Sequence, residues 1–205
     1  MGAATEPTVP SAIAARQALK DGSATANKAA AKATDKATVA GGCFWGVEHM
    51  FRKYYGDGRG LIDAKSGFIG GKESSRNPSY EEVCTGKTGH AEATQITFDP
   101  TKVTYAELVE FFYRTHDPTQ LNAQGHDQGT QYRSAIFPHD EKQRFVALKV
   151  TQEVQEKHFA PEGRKIVTQV EQRPAEDFFL AEEYHQRYLE RNSLDFHCST
   201  HKLWW

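Results

Sequence analysis

Cys43 is the residue of this sequence best placed to do chemistry. It follows Gly41-Gly42 and precedes Phe44-Trp45-Gly46. Beyond it, Val47, Met50, Phe51 and Tyr54 recur at i, i+3, i+4, i+7, the spacing of one helical face. A short strand over 37–40 leads into the glycines. The order strand, Gly-Gly, Cys, helix sets the sulfur at or just before the first helical turn. Unpaired N–H groups and the positive end of the helix dipole favour an anion there. A thiolate is such an anion, so the position lowers a thiol's pKa and makes it a better nucleophile. The two glycines allow a sharp turn and leave the sulfur accessible. The plainer alternative is a small buried hydrophobe that tolerates the turn. Phe44 and Trp45 can wall a small apolar pocket beside the sulfur, or serve as ordinary core.

The elements that must position this cysteine follow from pattern. A strand is expected over 60–68, then a loop through Gly70, Gly71, Asn77 and Pro78. Residues 93–98 alternate weakly and end at the turn signal Asp99-Pro100. Thr104 can cap a second helix that buries Tyr105, Leu108, Val109 and Phe112, stopped by Asp117-Pro118. A polar, Gly-containing loop over 120–129 precedes a strand over 131–137. Asp140 can cap a third helix to about residue 158. A strand over 166–170 and a last amphipathic helix over 181–191 complete the expectation. Interspersed strands and helices argue for an α+β two-layer sandwich with a mixed β-sheet and a ferredoxin-like core, the reactive cysteine heading the first core helix.

Composition narrows the classes. In 205 residues, 38% are hydrophobic, 25% are charged and the formal net charge is −2, so nothing recruits nucleic acid or an anionic membrane. No stretch reaches the ~18 apolar residues of a membrane-spanning helix, and the N-terminus lacks a secretory apolar core. Residues 1–37 are rich in Ala, Thr, Ser and Lys and hold no aromatic residue, which reads as an extension ahead of a catalytic domain over 38–205. The extension's slight basic excess fits a mitochondrial targeting segment, while Glu6, Asp21 and Asp35 speak against one. Three cysteines, Cys43, Cys84 and Cys198, make a poor disulfide framework and suit a reducing compartment such as the cytoplasm.

The pentapeptide Gly42-Cys43-Phe44-Trp45-Gly46 resembles the signature of the A-type peptide methionine sulfoxide reductases. The likeness continues in order through Tyr80, Val83-Cys84-Thr85-Gly86 and Thr88-Gly89-His90-Ala91-Glu92. It goes on through His116-Asp117-Pro118-Thr119 and the run from Gln124-Gly125-His126-Asp127 to Gln131-Tyr132-Arg133-Ser134. Ala181-Glu182-Glu183-Tyr184-His185-Gln186 closes it. It covers about residues 38–201. One departure is visible: Gly67-Phe68-Ile69-Gly70-Gly71 carries Phe68 where the family usually has tyrosine.

The resemblance implies reduction of the S epimer of methionine sulfoxide, free or in proteins, with no cofactor. Such a reaction needs a nucleophile for sulfur and a proton for oxygen. Cys43 is the nucleophile so implied and Glu92 the acid, its pKa raised if apolar walls surround it; otherwise Glu92 is a solvated surface residue. Tyr80 and Tyr132 offer phenol donors to the oxygen, or pack half-buried with wet hydroxyls. Asp127 orients the site or holds a water, or merely stabilises its turn. Phe44 and Trp45 receive the substrate methyl group. The resemblance further implies a Cys43 sulfenic acid, resolved by Cys198 as a disulfide that thioredoxin reduces. Cys84 reads as a buried structural thiol and His90 as structural.

Three rivals remain open. A thiol peroxidase or hydrolase would pair Cys43 with one of the nine histidines. A metal site would use His197, Cys198 and His201, although no CxxC supplies further ligands. A non-catalytic domain would bind oxidised partners without turning them over.

Overall fold

The structure is a computed structural model and describes residues 34–192 and 200–205. Its centre is set by side-chain alternation. Strands β1 (Asp35–Gly41) and β3 (Ala91–Phe98) pair antiparallel with Ala37 opposite Ile96 and Val39 opposite Thr94. Alternate residues of a strand share a face, so Ala37, Val39, Ile96 and Phe98 point the same way. Three helices cover that face. Helix α1 (Phe44–Tyr55) buries Val47, Met50, Phe51 and Tyr54 against it. Later in the chain, Tyr105–Thr115 adds Leu108, Val109, Phe111 and Phe112, and Glu141–Val154 adds Val146, Ala147, Val150 and Val154. Fully burying one such side chain stabilises by ~1.5–3 kcal/mol, so this face carries most of the hydrophobic stabilisation. The opposite face is built from small residues, Ala40, Ala91, Ala93 and Ala135, with Ile69 and Phe137 beneath Phe178.

Strand β2 (Leu61–Ile69) pairs antiparallel with β3. In chain order there follow α2 (Tyr80–Cys84), α3 (the Tyr105–Thr115 helix), the hairpin β4 (Ala123–Gln124) and β5 (Asp127–Gln128), β6 (Ser134–Ile136), α4 (the Glu141–Val154 helix), β7 (Gln169–Val170), β8 (Phe179–Leu180) and α5 (Tyr188–Arg191). The six-stranded sheet runs β7-β6-β1-β3-β2-β8, and only β6 and β7 are parallel. Its centre, β6-β1-β3-β2 with α1 and α3 as crossovers, is the split βαβ arrangement of a ferredoxin-like core. Among the described residues no helix is long and apolar enough to cross a membrane.

The expected caps are present. Thr104 Oγ1 accepts from Glu107 N at 3.2 Å while the Glu107 carboxylate accepts from Thr104 N at 2.7 Å. Asp140 accepts from Gln143 N at 2.7 Å. Helix α2, the β4–β5 hairpin and β8 are additions to the expected elements, and three of the expected elements differ in extent or type. The strand over 131–137 shrinks to Ser134–Ile136, because Gly129 (φ 135°) starts a 3-10 turn in which Tyr132 N donates to Gly129 O. The strand over 166–170 reduces to Gln169–Val170, with Val167 N donating instead to Pro118 O. The helix over 181–191 is a 3-10 turn, Glu183–His185, followed by the short α5. The side-chain amide of Gln186 bridges both Ser66 N and Ser66 O, and Arg187 turns left-handed (φ 54°) to give its N–H to Glu48 Oε2. These long-range bonds outweigh the segment's helical periodicity.

Candidate active site

The end of β1 and the start of α1 are joined by Gly42 and Cys43. Gly42 has φ +89°, and a Cβ there would lie 2.6 Å from Gln124 Cβ, so only glycine makes this turn without strain. Cys43 is the half-buried N-cap of α1, and its carbonyl accepts from Gly46 N at 3.1 Å. Its side chain does not cap the helix. A carboxylate from another strand takes that place: Phe44 N donates to Glu92 Oε2 at 3.1 Å.

Glu92 reaches the helix because of parity. It is even-numbered on β3, like Ile96 and Phe98, so it faces the helical layer, opposite Phe68 of β2. It is 1% exposed. Burial, the largest cause, and then the Asp127 charge push its pKa up to about 8, while the Phe44 N–H pulls the other way. Near neutral pH the group therefore holds its proton, with Oε2 accepting from the helix and one oxygen able to donate.

Phe44, Phe68, Val83 and Ala181 form an apolar cluster against which Cys43, Trp45 and Tyr80 rest. Tyr80 opens α2, where Ser79 and Glu82 form a reciprocal cap, and its N–H donates to Glu182 Oε1 at 3.0 Å. The Tyr80 ring lies 6.2 Å from Phe44 at 27°. Tyr132 closes the 3-10 turn Thr130–Tyr132. Burial, then the Glu92 charge, hold both phenols above the usual tyrosine range, so both stay protonated donors. Tyr132 also feels the charges of Asp127 and Cys43. Half-buried Asp127 is itself raised by burial, against the opposing pull of His201 and His126.

Phe44, Trp45, Tyr80 and Glu92 thus lie about Cys43, and Tyr132 and Asp127 are near enough to act on the same group electrostatically. Cys198, with His197, lies outside the described residues. The third residue of that cluster, His201, is bound through Nε2 to Gly41 O at 2.8 Å. Cys84 corrects expectation: it is exposed rather than buried, because α2 turns only its Val83 side into the core. Its thiol shares a hydrogen bond with Tyr80. His90 is structural, its Nε2 on Ser75 O at 2.8 Å.

Two site neighbours were not anticipated. His185 bonds the indole of Trp45, and Tyr188 stacks on that indole at 3.7 Å and 8°. Both belong to the segment read as a plain amphipathic helix. The signal that could have found them is its concentration of rings, Tyr184, His185 and Tyr188.

The sequence model described as peptide methionine sulfoxide reductase matches residues 35–203 of this chain. The chain belongs to the peptide methionine sulfoxide reductase family. It is 45% identical over 170 residues to the peptide methionine sulfoxide reductase of Saccharomyces cerevisiae, covering 81% of this chain and 88% of that one. Its structure is similar to Mxr1 from Saccharomyces cerevisiae in reduced form, with TM-score 0.74 and 44% identity over 83% of this chain and 92% of that chain. It is also similar to Mxr1 in complex with Trx2, with TM-score 0.55 and 31% identity over 87% and 96%. The enzyme class is therefore that of a methionine sulfoxide reductase.

Proposed function

We propose that this reductase converts the S epimer of methionine sulfoxide, free or in oxidised proteins, to methionine through Cys43 and Glu92. The Cys43 sulfur attacks the sulfoxide sulfur and Glu92 delivers a proton to the oxygen. The S–O bond breaks as the Cys43–sulfonium S–S bond forms. The hydroxide so released adds to the Cys43 sulfur, the S–S bond breaks, methionine leaves, and the cysteine, oxidised by two electrons, is a sulfenic acid. Tyr80 and Tyr132 donate to the oxygen as negative charge builds on it, Asp127 orients the loop beside them, and Phe44 and Trp45 receive the methyl group. The observation that carries this reading is the buried Glu92 carboxyl group, bonded to the amide next to Cys43 and pushed by burial to a pKa of about 8. A histidine-assisted thiol hydrolase is disfavoured, since the imidazoles near the site are engaged elsewhere, His201 Nε2 on Gly41 O and His185 Nδ1 on the Trp45 indole.

Recycling is assigned to Cys198: its thiol attacks the sulfenic sulfur, a disulfide forms and water leaves. His201, three residues on, is held against Gly41 O at 2.8 Å. Three extended residues span at most ~10–11 Å, so covalent reach permits the two sulfurs to meet. Thioredoxin is the reductant this reading favours, supported by the solved complex of the yeast relative with Trx2. The residues ahead of β1 are read as an extension, shorter than the expected 1–37 because Asp35, Lys36 and Ala37 pair with β3, and the rest as the reductase domain with its Cys198 tail. The cysteine usage favours the cytoplasm over the mitochondrial alternative, against which Glu6 and Asp21 speak.

The test is single turnover. Without reductant, excess S-epimer methionine sulfoxide should yield about one methionine per chain and a mapped Cys43–Cys198 disulfide. Cys43→Ser should yield none, and Glu92→Gln should slow the step ~10²–10⁴-fold. No methionine from fully reduced, unmodified protein rejects the reading.

A further inference from the structure

We propose that His185 is a positioning residue for the methyl pocket, fixing the in-plane orientation of the Trp45 indole through a hydrogen bond at Nδ1. The proposal rests on reading Trp45 as a wall of the substrate pocket. Trp45 Nε1 lies 3.1 Å from His185 Nδ1. An indole N–H can only donate, so Nδ1 must accept, and a neutral His185 must carry its proton on Nε2. That nitrogen faces Glu182 Oε2 at 4.0 Å. The other oxygen of Glu182 accepts from Tyr80 N at 3.0 Å. A chain of groups thus runs from Trp45 through His185 and Glu182 to Tyr80. It joins the wall that meets the methyl group to the phenol that meets the oxygen.

The ring contacts show why this bond sets orientation rather than mere packing. Tyr188 stacks on the indole at 3.7 Å and 8°, which fixes the indole plane. A flat stack leaves rotation within that plane cheap. The hydrogen bond to His185 removes that freedom. His185 in turn has almost none of its own: it is 1% exposed, and its ring centre lies 5.2 Å from Phe44, 4.3 Å from Tyr80 and 4.1 Å from Tyr184. An orienting group for a binding wall must be rigid and specific in its acceptor, and His185 is both.

The experiment compares His185→Phe, which keeps a ring but no acceptor, with His185→Asn, whose Oδ1 can take the place of Nδ1. Each is made in the Trp45 protein and in Trp45→Phe. In the Trp45 protein, His185→Phe should lower kcat/KM for methionine sulfoxide by roughly tenfold to a hundredfold, mostly through KM. His185→Asn should stay within about threefold of the unmodified protein. In Trp45→Phe, where no indole donor exists, His185→Phe should cost less than about twofold. Within each background, the rate of Cys43 alkylation by iodoacetamide should change less than about twofold between the His185 variants.

A second readout does not need turnover. The indole N–H of Trp45, assigned by its loss in Trp45→Phe, should exchange slowly with solvent in the unmodified protein and in His185→Asn. It should exchange at least about tenfold faster in His185→Phe. Equal losses of kcat/KM in both backgrounds, or a parallel fall in Cys43 alkylation, would show a general structural role and overturn the proposal. So would no loss at all, or rapid indole exchange in the unmodified protein. If the unmodified protein makes no methionine while the indole exchange behaves as expected, the reductase reading fails and the Trp45–His185 bond stands.

Discussion

Glu92 and Phe68 stand directly opposite each other across β3 and β2. Cross-strand neighbours have Cβ atoms about 4.5–5.5 Å apart, so the phenylalanine ring helps keep water from the carboxyl group. Phe68→Tyr would add a hydroxyl to this dry corner. The expected outcome is a lower Glu92 pKa, seen as a fall of roughly half to one unit in the upper limb of the pH–kcat profile. The buried proton also has a stability signature. Below pH 4.5, the ordinary glutamate value, folded and unfolded chains both hold it, and Glu92 imposes no penalty. Between 4.5 and about 8 the unfolded chain ionises first, so stability falls as pH rises, then levels off. Glu92→Gln should therefore gain on the unmodified protein by up to a few kcal/mol between pH 5 and pH 9, read from urea midpoints. A Gln variant whose advantage does not grow with pH would show that Glu92 is ionised in the folded state. Cys43 was legible in the sequence because glycines and helical spacing are local signals. Glu92, one of 27 acidic residues, was not legible without the family motif, since burial is a property of the assembled sheet. His185 meets Trp45 across 140 residues of sequence, and no periodicity encodes that contact.

At the scale of elements, the site depends on how β1 is turned into α1. The turn needs a left-handed residue with no side chain, because Gln124 fills the space where a Cβ would sit and itself bridges Asp117 N and O. Gly42→Ala should destabilise by about 2–4 kcal/mol, from left-handed strain plus overpacking. It should also displace the helix start, so a fall in Cys43 alkylation rate should accompany the lower denaturation midpoint. A variant with unchanged stability would mean the loop around Gln124 yields freely. Helices α3 and α4 were legible because Thr104 and Asp140 announce them locally. The segments over 131–137 and 181–191 depart from their sequence pattern where a glycine turn and the Gln186 bridge to β2 impose shapes that local propensity does not contain.

For the whole molecule, alternation of strands and helices was enough to indicate an α+β sandwich, whereas the order β7-β6-β1-β3-β2-β8 depends on pairings distant in sequence. The final described segment illustrates this. Lys202 N donates to Thr115 O and Trp204 N to Arg114 O, and the Trp205 ring lies on His158 at 4.2 Å and 14°. The chain is thereby returned to the end of α3, close to where β1 delivers Cys43. One further consequence lies in the parity of β3. Glu92 shares its face with Ile96 and Phe98, and its neighbours Ala91 and Ala93 share the other. A slip of one residue in pairing would exchange the two faces, withdrawing the proton donor while leaving the same amount of strand and helix. Recovered activity after denaturation is therefore a proofreading signal for strand register that circular dichroism cannot supply.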